Sequence, residues 1–165
     1  MNKKITILPG DGIGQEVTTE GKKVLDSVAA RFGHSFKYDH ALIGHAAIDV
    51  TGAPLPDETL VKLRNCDAIL FGAVGHPKYD NDPGAKVRPE QGLLKMRKEL
   101  GLYANLRPIK LFDQLLGASS IRPEVLKGSD ILFFRELTGD VYFGERGRKN
   151  EGDTAWDTMI YSRYE

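Results

Sequence analysis

Two arginines sit where a charge is costly. Arg107 lies inside Tyr103-Ala104-Asn105-Leu106-Arg107-Pro108, and Arg135 ends the apolar run Ile131-Leu132-Phe133-Phe134. A guanidinium taken out of water needs a counter-anion. Glu136, next in the chain, could supply one internally. The other solution is external: Arg97, Arg107 and Arg135 gathered on a small polycarboxylate, which guanidinium grips through two parallel hydrogen bonds. Glu90, Leu93, Leu94 and Arg97 stand at i, i+3, i+4 and i+7. That spacing puts an acid, apolar bulk and a cation on one helix face. Such a face suits a mixed ligand, or equally a solvated ion pair beside core leucines. Tyr142 reads either as a strand aromatic packing on its neighbours or as a proton donor to a developing carbanion, a task for which a phenol near cations is suited.

Gly10-x-Gly12-x-Gly14 follows an apolar strand and opens a helix, the arrangement that brings backbone close to a phosphate. The dinucleotide spacing fails, because position 15 is Gln15 where glycine is required, and no Gly-Lys-Ser/Thr ending follows. Tight-turn architecture and ligand contact both remain open for this loop. Asp80-x-Asp82-x-Gly84 is not a calcium loop, since its third acid is missing and Gln91 stands where glutamate is needed. His34, His40, His45 and His76 show no metal-ligand spacing, and Cys66, the single cysteine, reads as a small buried filler.

Alternating elements must position these residues. The pattern predicts a strand over 3–8 and a helix over 15–32 with Val17, Val24, Leu25, Val28 and Phe32 as its apolar stripe. A strand follows over 35–43, then a loop over 44–56. Asp57 reads as the N-cap of a helix to Arg64, and 67–72 as a strand covered on both faces. The Gly/Pro-rich stretch 72–90 is longer than a connection needs and reads as a binding loop. A helix is predicted over 91–100, a strand over 102–111, a short turn over 124–127 and a buried strand over 130–136. Segments 141–144 and 158–164 read as partners around a polar loop over 145–153. Strands alternating with helices define an α/β class with a mostly parallel sheet.

With 165 residues, 23 Lys+Arg against 23 Asp+Glu, 41% hydrophobic and 28% charged residues, the composition is globular and neutral. It lacks the basic excess of a nucleic-acid or anionic-membrane binder. Only four residues lie between the initial Met-Asn-Lys-Lys and Pro9, too few for a signal-peptide core, and no apolar run reaches membrane-spanning length. A soluble cytoplasmic protein is expected.

Four ordered motifs now match one family. Leu8-Pro9-Gly10-Asp11-Gly12-Ile13-Gly14, Arg88-Pro89-Glu90-x-Gly92-Leu93-Leu94-x-x-Arg97, Asn105-Leu106-Arg107-Pro108 and Arg135-Glu136-Leu137-Thr138-Gly139-x-Val141-Tyr142-Phe143-Gly144 resemble the isopropylmalate branch of the β-decarboxylating dehydrogenases. Isocitrate, homoisocitrate and tartrate dehydrogenases share the first motif and differ in the later ones. The resemblance implies an isocitrate/isopropylmalate dehydrogenase-like fold and NAD-dependent oxidative decarboxylation of 3-isopropylmalate in leucine biosynthesis. It implies that Arg97, Arg107 and Arg135 hold the malate carboxylates and that Leu93 faces the isopropyl branch, where a polar residue would favour a third carboxylate. Glu90 would bridge substrate and nicotinamide ribose. Ile13 and the backbone from Gly75, His76, Pro77 and Lys78 to Glu90 would line NAD without the Rossmann fingerprint, and Tyr142 would assist protonation of the enolate. A divalent Mg2+ or Mn2+ would act as Lewis acid, on ligands outside these residues.

Family members are about twice as long. The resemblance therefore implies an N-terminal part: residues 1–101 beginning a cofactor-binding domain, and 102–165 beginning a second domain with part of a dimerisation arm. The sheet would be incomplete, apolar faces exposed, the full-length parent a homodimer, and the 165 residues alone inactive. Asp140 stands where the family commonly has glycine and is expected to add a carboxylate near Arg135 and Tyr142. The alternatives are a related dehydrogenase of homoisocitrate, isocitrate or tartrate, or a non-catalytic interaction subunit.

Overall fold

Ile5, Thr6, Ile7 and Leu8 are buried one after another, as a strand covered on both faces requires. In the computed structural model, which describes residues 1–80, 82 and 84–165 and leaves out the side chain at position 80, they form the middle of β1 (Asn2–Gly10). β1 is the central strand of a three-stranded sheet, with β2 (Ser35–His40) on one side and β3 (Ala68–Ala73) on the other. Both pairings are parallel, in register from Asn2 opposite Ser35 and from Ile5 opposite Ala68. The chain divides into two compact units, residues 1–100 and 101–165.

Helices flank the sheet of the first unit. α1 (Gly14–Phe32) follows β1 and ends at Gly33, whose left-handed φ of 65° closes it. α2 (His45–Thr51), α3 (Asp57–Arg64), α4 (Pro77–Asp80) and α5 (Pro89–Glu99) complete the unit. The core joins Leu8, Ile43, Leu55, Leu60, Leu63 and Met96, with Ile69, Phe71 and Leu93 packed against it. Leu70, between Ile69 and Phe71, points the other way, to Gly21 of α1, so β3 has an element on each face. Arg64 and Glu99 pair at 2.6 Å, joining α3 to α5.

Several expectations change here. The valine stripe of α1 is not its buried face: Val17 is 55% and Val24 63% exposed. Small residues make the contact instead, because Gly14, Thr18 and Gly21 let the helix lie close to β3, where an added Cβ on Gly14 would overlap the Pro9 carbonyl. The expected loop 44–56 contains α2, which has no local side-chain cap and takes its cap from Asp11, far away in sequence. Pro56 rather than Asp57 is the N-cap of α3. α4 interrupts the expected binding loop. Cys66 is half-buried, and its Sγ donates to the Leu63 carbonyl at 3.2 Å.

The second unit is built on two antiparallel ladders. β4 (Ala104–Lys110) pairs with β5 (Asp130–Glu136), Asn105 opposite Arg135 and Arg107 opposite Phe133. Between them lie a 3-10 turn (Asp113–Ala118) and α6 (Pro123–Leu126). α7 (Asp140–Phe143) follows, then a hairpin of β6 (Arg146–Lys149) and β7 (Thr154–Asp157). β5 was expected to be buried. It is exposed, Phe134 to 72%, because its sheet has only two strands and leaves both faces open. The expected pairing of 141–144 with 158–164 is replaced by the β6–β7 hairpin, since 140–143 coils into a helical turn closed by Gly144 N–H on the Asp140 carbonyl at 2.7 Å.

Candidate functional site

In the first unit the glycine loop packs on itself. Gly10 adopts φ 70°, and a Cβ there would overlap the Ala73 carbonyl oxygen, so this position is set by architecture. Between its glycines stands a residue that the sequence reading passed over. Asp11 is 6% exposed, and its carboxylate accepts three backbone N–H groups: His45 at 2.9 Å, Ala46 at 3.0 Å and Gly75 at 3.0 Å. One side chain therefore caps α2 and anchors the start of the segment that leads to α5. No local pattern announces this, because its partners are 34 to 64 residues away.

The residues expected to line NAD lie at the N-cap of α1, in 75–78 and at the start of α5. Ile13 is 60% exposed beside the turn. Gly75 and Glu90 are neighbours, since a Cβ on Gly75 would lie 3.4 Å from Glu90 Oε1. Pro77 and Lys78 are exposed in α4, and Lys78 N–H donates to His76 Nδ1 at 3.2 Å. His76 packs against His45 with ring centroids 3.9 Å apart and the planes tilted by 39°, and His45 Nδ1 lies 3.2 Å from the hydroxyl of buried Tyr79. His45 is thus a packing residue between α2 and α4. Arg88, at the N-cap of α5, donates to the carbonyls of Tyr79 at 2.8 Å and Asp82 at 2.6 Å.

On α5, Glu90 is exposed while Leu93, Leu94 and Arg97 are half-buried. Leu93 packs in part on the core. In the rejected calcium pattern, the Asp80 side chain lies outside the described residues, and Asp82 Oδ1 accepts the Gly84 N–H at 2.9 Å, closing a turn. Among the described residues, no group of three His, Cys, Asp or Glu is placed to hold a metal ion.

In the second unit the ladder register sets the chemistry. Side chains alternate along a strand, so Asn105, Arg107, Phe133 and Arg135 share one face of the β4–β5 pair. Arg107 and Arg135 are diagonal neighbours there, and with Ile109 and Phe133 they line a groove. Both arginines are exposed, which corrects the expectation of burial, and neither has a carboxylate partner among the described residues. Arg135 Nε donates to the Tyr142 hydroxyl at 2.8 Å, with the guanidinium carbon 5.7 Å from the ring centroid. Tyr142 lies in α7, not on a strand. Its oxygen accepts from Arg135, leaving its own O–H to be donated elsewhere.

Glu136 is not the counter-ion of Arg135. Its Oε1 accepts the Thr138 N–H, the Thr138 hydroxyl at 2.9 Å and the Gly139 N–H at 2.7 Å. Burial alone would raise its pKa, but these donors outweigh burial and hold the carboxyl below the ordinary glutamate value. Asp140 does not turn to Arg135 either: its Oδ2 accepts the Ile160 N–H at 2.9 Å.

This is an α/β chain whose first unit carries a parallel sheet flanked by helices. It belongs to the isocitrate/isopropylmalate dehydrogenase family, which it matches over residues 4–165. The 3-isopropylmalate dehydrogenase of Rhodopirellula baltica is 59% identical over 164 residues, 98% of this chain and 45% of that protein. That of Bacteroides fragilis is 52% identical over 165 residues, 100% of this chain and 46% of that protein. Among solved structures, the isocitrate dehydrogenase of Methylococcus capsulatus superposes with a TM-score of 0.74 at 28% identity, covering 98% of this chain and 43% of that one. A β-decarboxylating dehydrogenase of Thermococcus kodakarensis gives 0.66 at 32%, covering 98% and 41%. The chain thus spans a little under half the length of its relatives. Among the described residues no helix is long and apolar enough to cross a membrane.

Proposed function

We propose that the whole protein carrying these residues oxidatively decarboxylates 3-isopropylmalate with NAD. The observation that carries this reading is the Arg135–Tyr142 hydrogen bond on the strand face that also bears Arg107. That face carries two cations, and the Tyr142 hydroxyl is bonded to one of them. Arg107 and Arg135, with Arg97, hold the substrate carboxylates, since each guanidinium offers a fork that matches a carboxylate. Leu93 meets the isopropyl branch. Leu93 also packs on the core, which fixes its position and lets it exclude water from that side.

Tyr142 delivers the proton that completes the reaction. Its hydroxyl oxygen is held by Arg135, so the O–H direction is set before substrate arrives. Glu90, exposed at the start of α5 and beside Gly75, accepts hydrogen bonds from ribose hydroxyls. Ile13, Gly75, His76, Pro77 and Lys78 line the rest of the dinucleotide. The exposed apolar Ile13 fits that use. NAD supplies the hydride acceptor, and a divalent Mg2+ or Mn2+, held by residues elsewhere in the whole protein, supplies Lewis acidity. The protein is taken to work in the cytoplasm as a homodimer.

The test is a substrate panel on the whole protein, following NADH formation and CO2 release. Turnover of 3-isopropylmalate with kcat/KM at least about tenfold above isocitrate, homoisocitrate and tartrate is expected, as an apolar contact discriminates. A preference for a tricarboxylate would remove Leu93 as the selector.

A further inference from the structure

Arg135 and Glu136 are consecutive on β5 and point to opposite faces. Arg135 reaches Tyr142 on one face, and on the other Glu136 gathers three donors from the turn that carries the chain to Tyr142. The turn is short. Leu137 is 5% exposed and its N–H donates to the Tyr103 carbonyl at 3.0 Å, so the chain leaves the ladder at a fixed point. Thr138 and Gly139 are then tied to the Glu136 carboxylate, and the Tyr142 N–H closes on the Gly139 carbonyl at 3.0 Å. A Cβ on Gly139 would overlap the Tyr161 ring and press on Glu136 Oε2, so only glycine permits this closeness. Strand, turn and helical turn are thus each hydrogen-bonded to the next, from the Glu136 carboxylate to the Tyr142 N–H.

We propose that Glu136 is a positioning residue for proton delivery: it clamps the 136–139 turn so that Tyr142 meets Arg135 and presents its hydroxyl in one orientation. The proposal rests on the reading of Tyr142 as proton donor and deepens it. Glu136 touches neither substrate nor cofactor in this account. Its influence passes through Thr138 and Gly139 to α7. An ionised carboxylate suits this task, because hydrogen bonds to a charged oxygen are stronger than those to a neutral one. The lowered pKa of Glu136 agrees with that demand.

The test is a double-mutant cycle in the whole protein with Glu136→Gln and Tyr142→Phe. Glu136→Gln is expected to lower kcat about tenfold and leave the KM for 3-isopropylmalate within about twofold, as loss of aim in an acid–base step does. In the Tyr142→Phe background the same substitution should cost less than about twofold, since the group it aims is already gone. Full multiplication of the two losses, or an unchanged kcat in Glu136→Gln, overturns the proposal. If Glu136→Gln does not fold, Thr138→Val removes only the hydroxyl donor and runs the same cycle with the same two outcomes. If the unsubstituted protein turns over no 3-isopropylmalate, the reading of the activity falls by itself. The clamp is then read from amide exchange at Thr138 and Gly139, which Glu136→Gln must accelerate relative to the β4–β5 ladder. Equal protection with and without the carboxylate overturns it.

Discussion

Arg135 Nε donates to Tyr142 Oη across 2.8 Å, joining the end of β5 to α7. The bond leaves the phenol's proton available and fixes its oxygen. Replacing Tyr142 by Phe removes the proton and little of the volume. In the whole protein it is expected to lower kcat by about 10²-fold, the usual worth of a positioned acid, with KM changed by less than about threefold. Steady-state kinetics with 3-isopropylmalate check this, and an unchanged kcat removes Tyr142 from the chemistry.

Arg107 lies on the same face, without an internal acid among the described residues. If Arg107 holds substrate as proposed, Arg107→Ala leaves a carboxylate unpaired, at a cost of about 3 kcal/mol. That is about a hundredfold in kcat/KM. Arg107→Lys should recover only part of the loss, because an ammonium cannot offer the two-pronged geometry. Equal kinetics for Arg107→Ala and the parent would place the carboxylates elsewhere.

Asp11 holds α2 and Gly75 through one carboxylate. Asp11→Ala leaves three half-buried N–H groups without their acceptor, so a loss of stability of about 2 kcal/mol is expected in urea unfolding, with α2 amides exchanging first. Uniform exchange across the first unit would show that the cap is not what holds α2.

The glycine turn offers a contrast between two neighbours. At Gly14 a Cβ would overlap the Pro9 carbonyl, whereas at Gly12, φ 50°, a Cβ meets nothing within 4 Å. Gly14→Ala should prevent folding of the first unit, while Gly12→Ala should cost about 1 to 2 kcal/mol, the cost of a left-handed residue. Circular dichroism melts separate the two, and equal melts would contradict the packing.

Tyr38 titrates late. Its burial, and then donation of its hydroxyl to Asp26 at 2.8 Å, push the phenol up to about 12. A raised pKa means the folded state keeps this proton. The stabilisation is full below the ordinary tyrosine value of about 10 and is lost as pH rises from there through about 12. In a phenolate absorbance titration, one of the six tyrosines should ionise last, and that step should vanish in Tyr38→Phe. A phenolate step near 12 that persists in Tyr38→Phe would contradict the assignment.

What was legible in the sequence was whatever a local pattern carries. The strand 130–136 and the α5 face show in spacing alone, and the four motifs show the family. What stayed hidden depends on distant partners. α2 has no local cap because Asp11 supplies it. The buried face of α1 is hidden from a hydrophobicity pattern because glycines and threonine carry no hydrophobic signal, yet permit the closest approach. Tyr142 reads as a strand aromatic in sequence because the helical turn that holds it follows a side-chain contact, Gly139 N–H to the Glu136 carboxylate, that propensity does not show. Arg135 was given a buried environment because its flanking residues are apolar, although in this two-stranded ladder they are exposed.

The most direct measurement is a crystal structure of the whole protein grown with 3-isopropylmalate. The account predicts guanidinium forks of Arg97, Arg107 and Arg135 on the two carboxylates, Leu93 in van der Waals contact with the isopropyl methyls, and the Tyr142 hydroxyl facing the reacting carbons. A substrate held by other cations, with these arginines paired to acids of the protein itself, would contradict it.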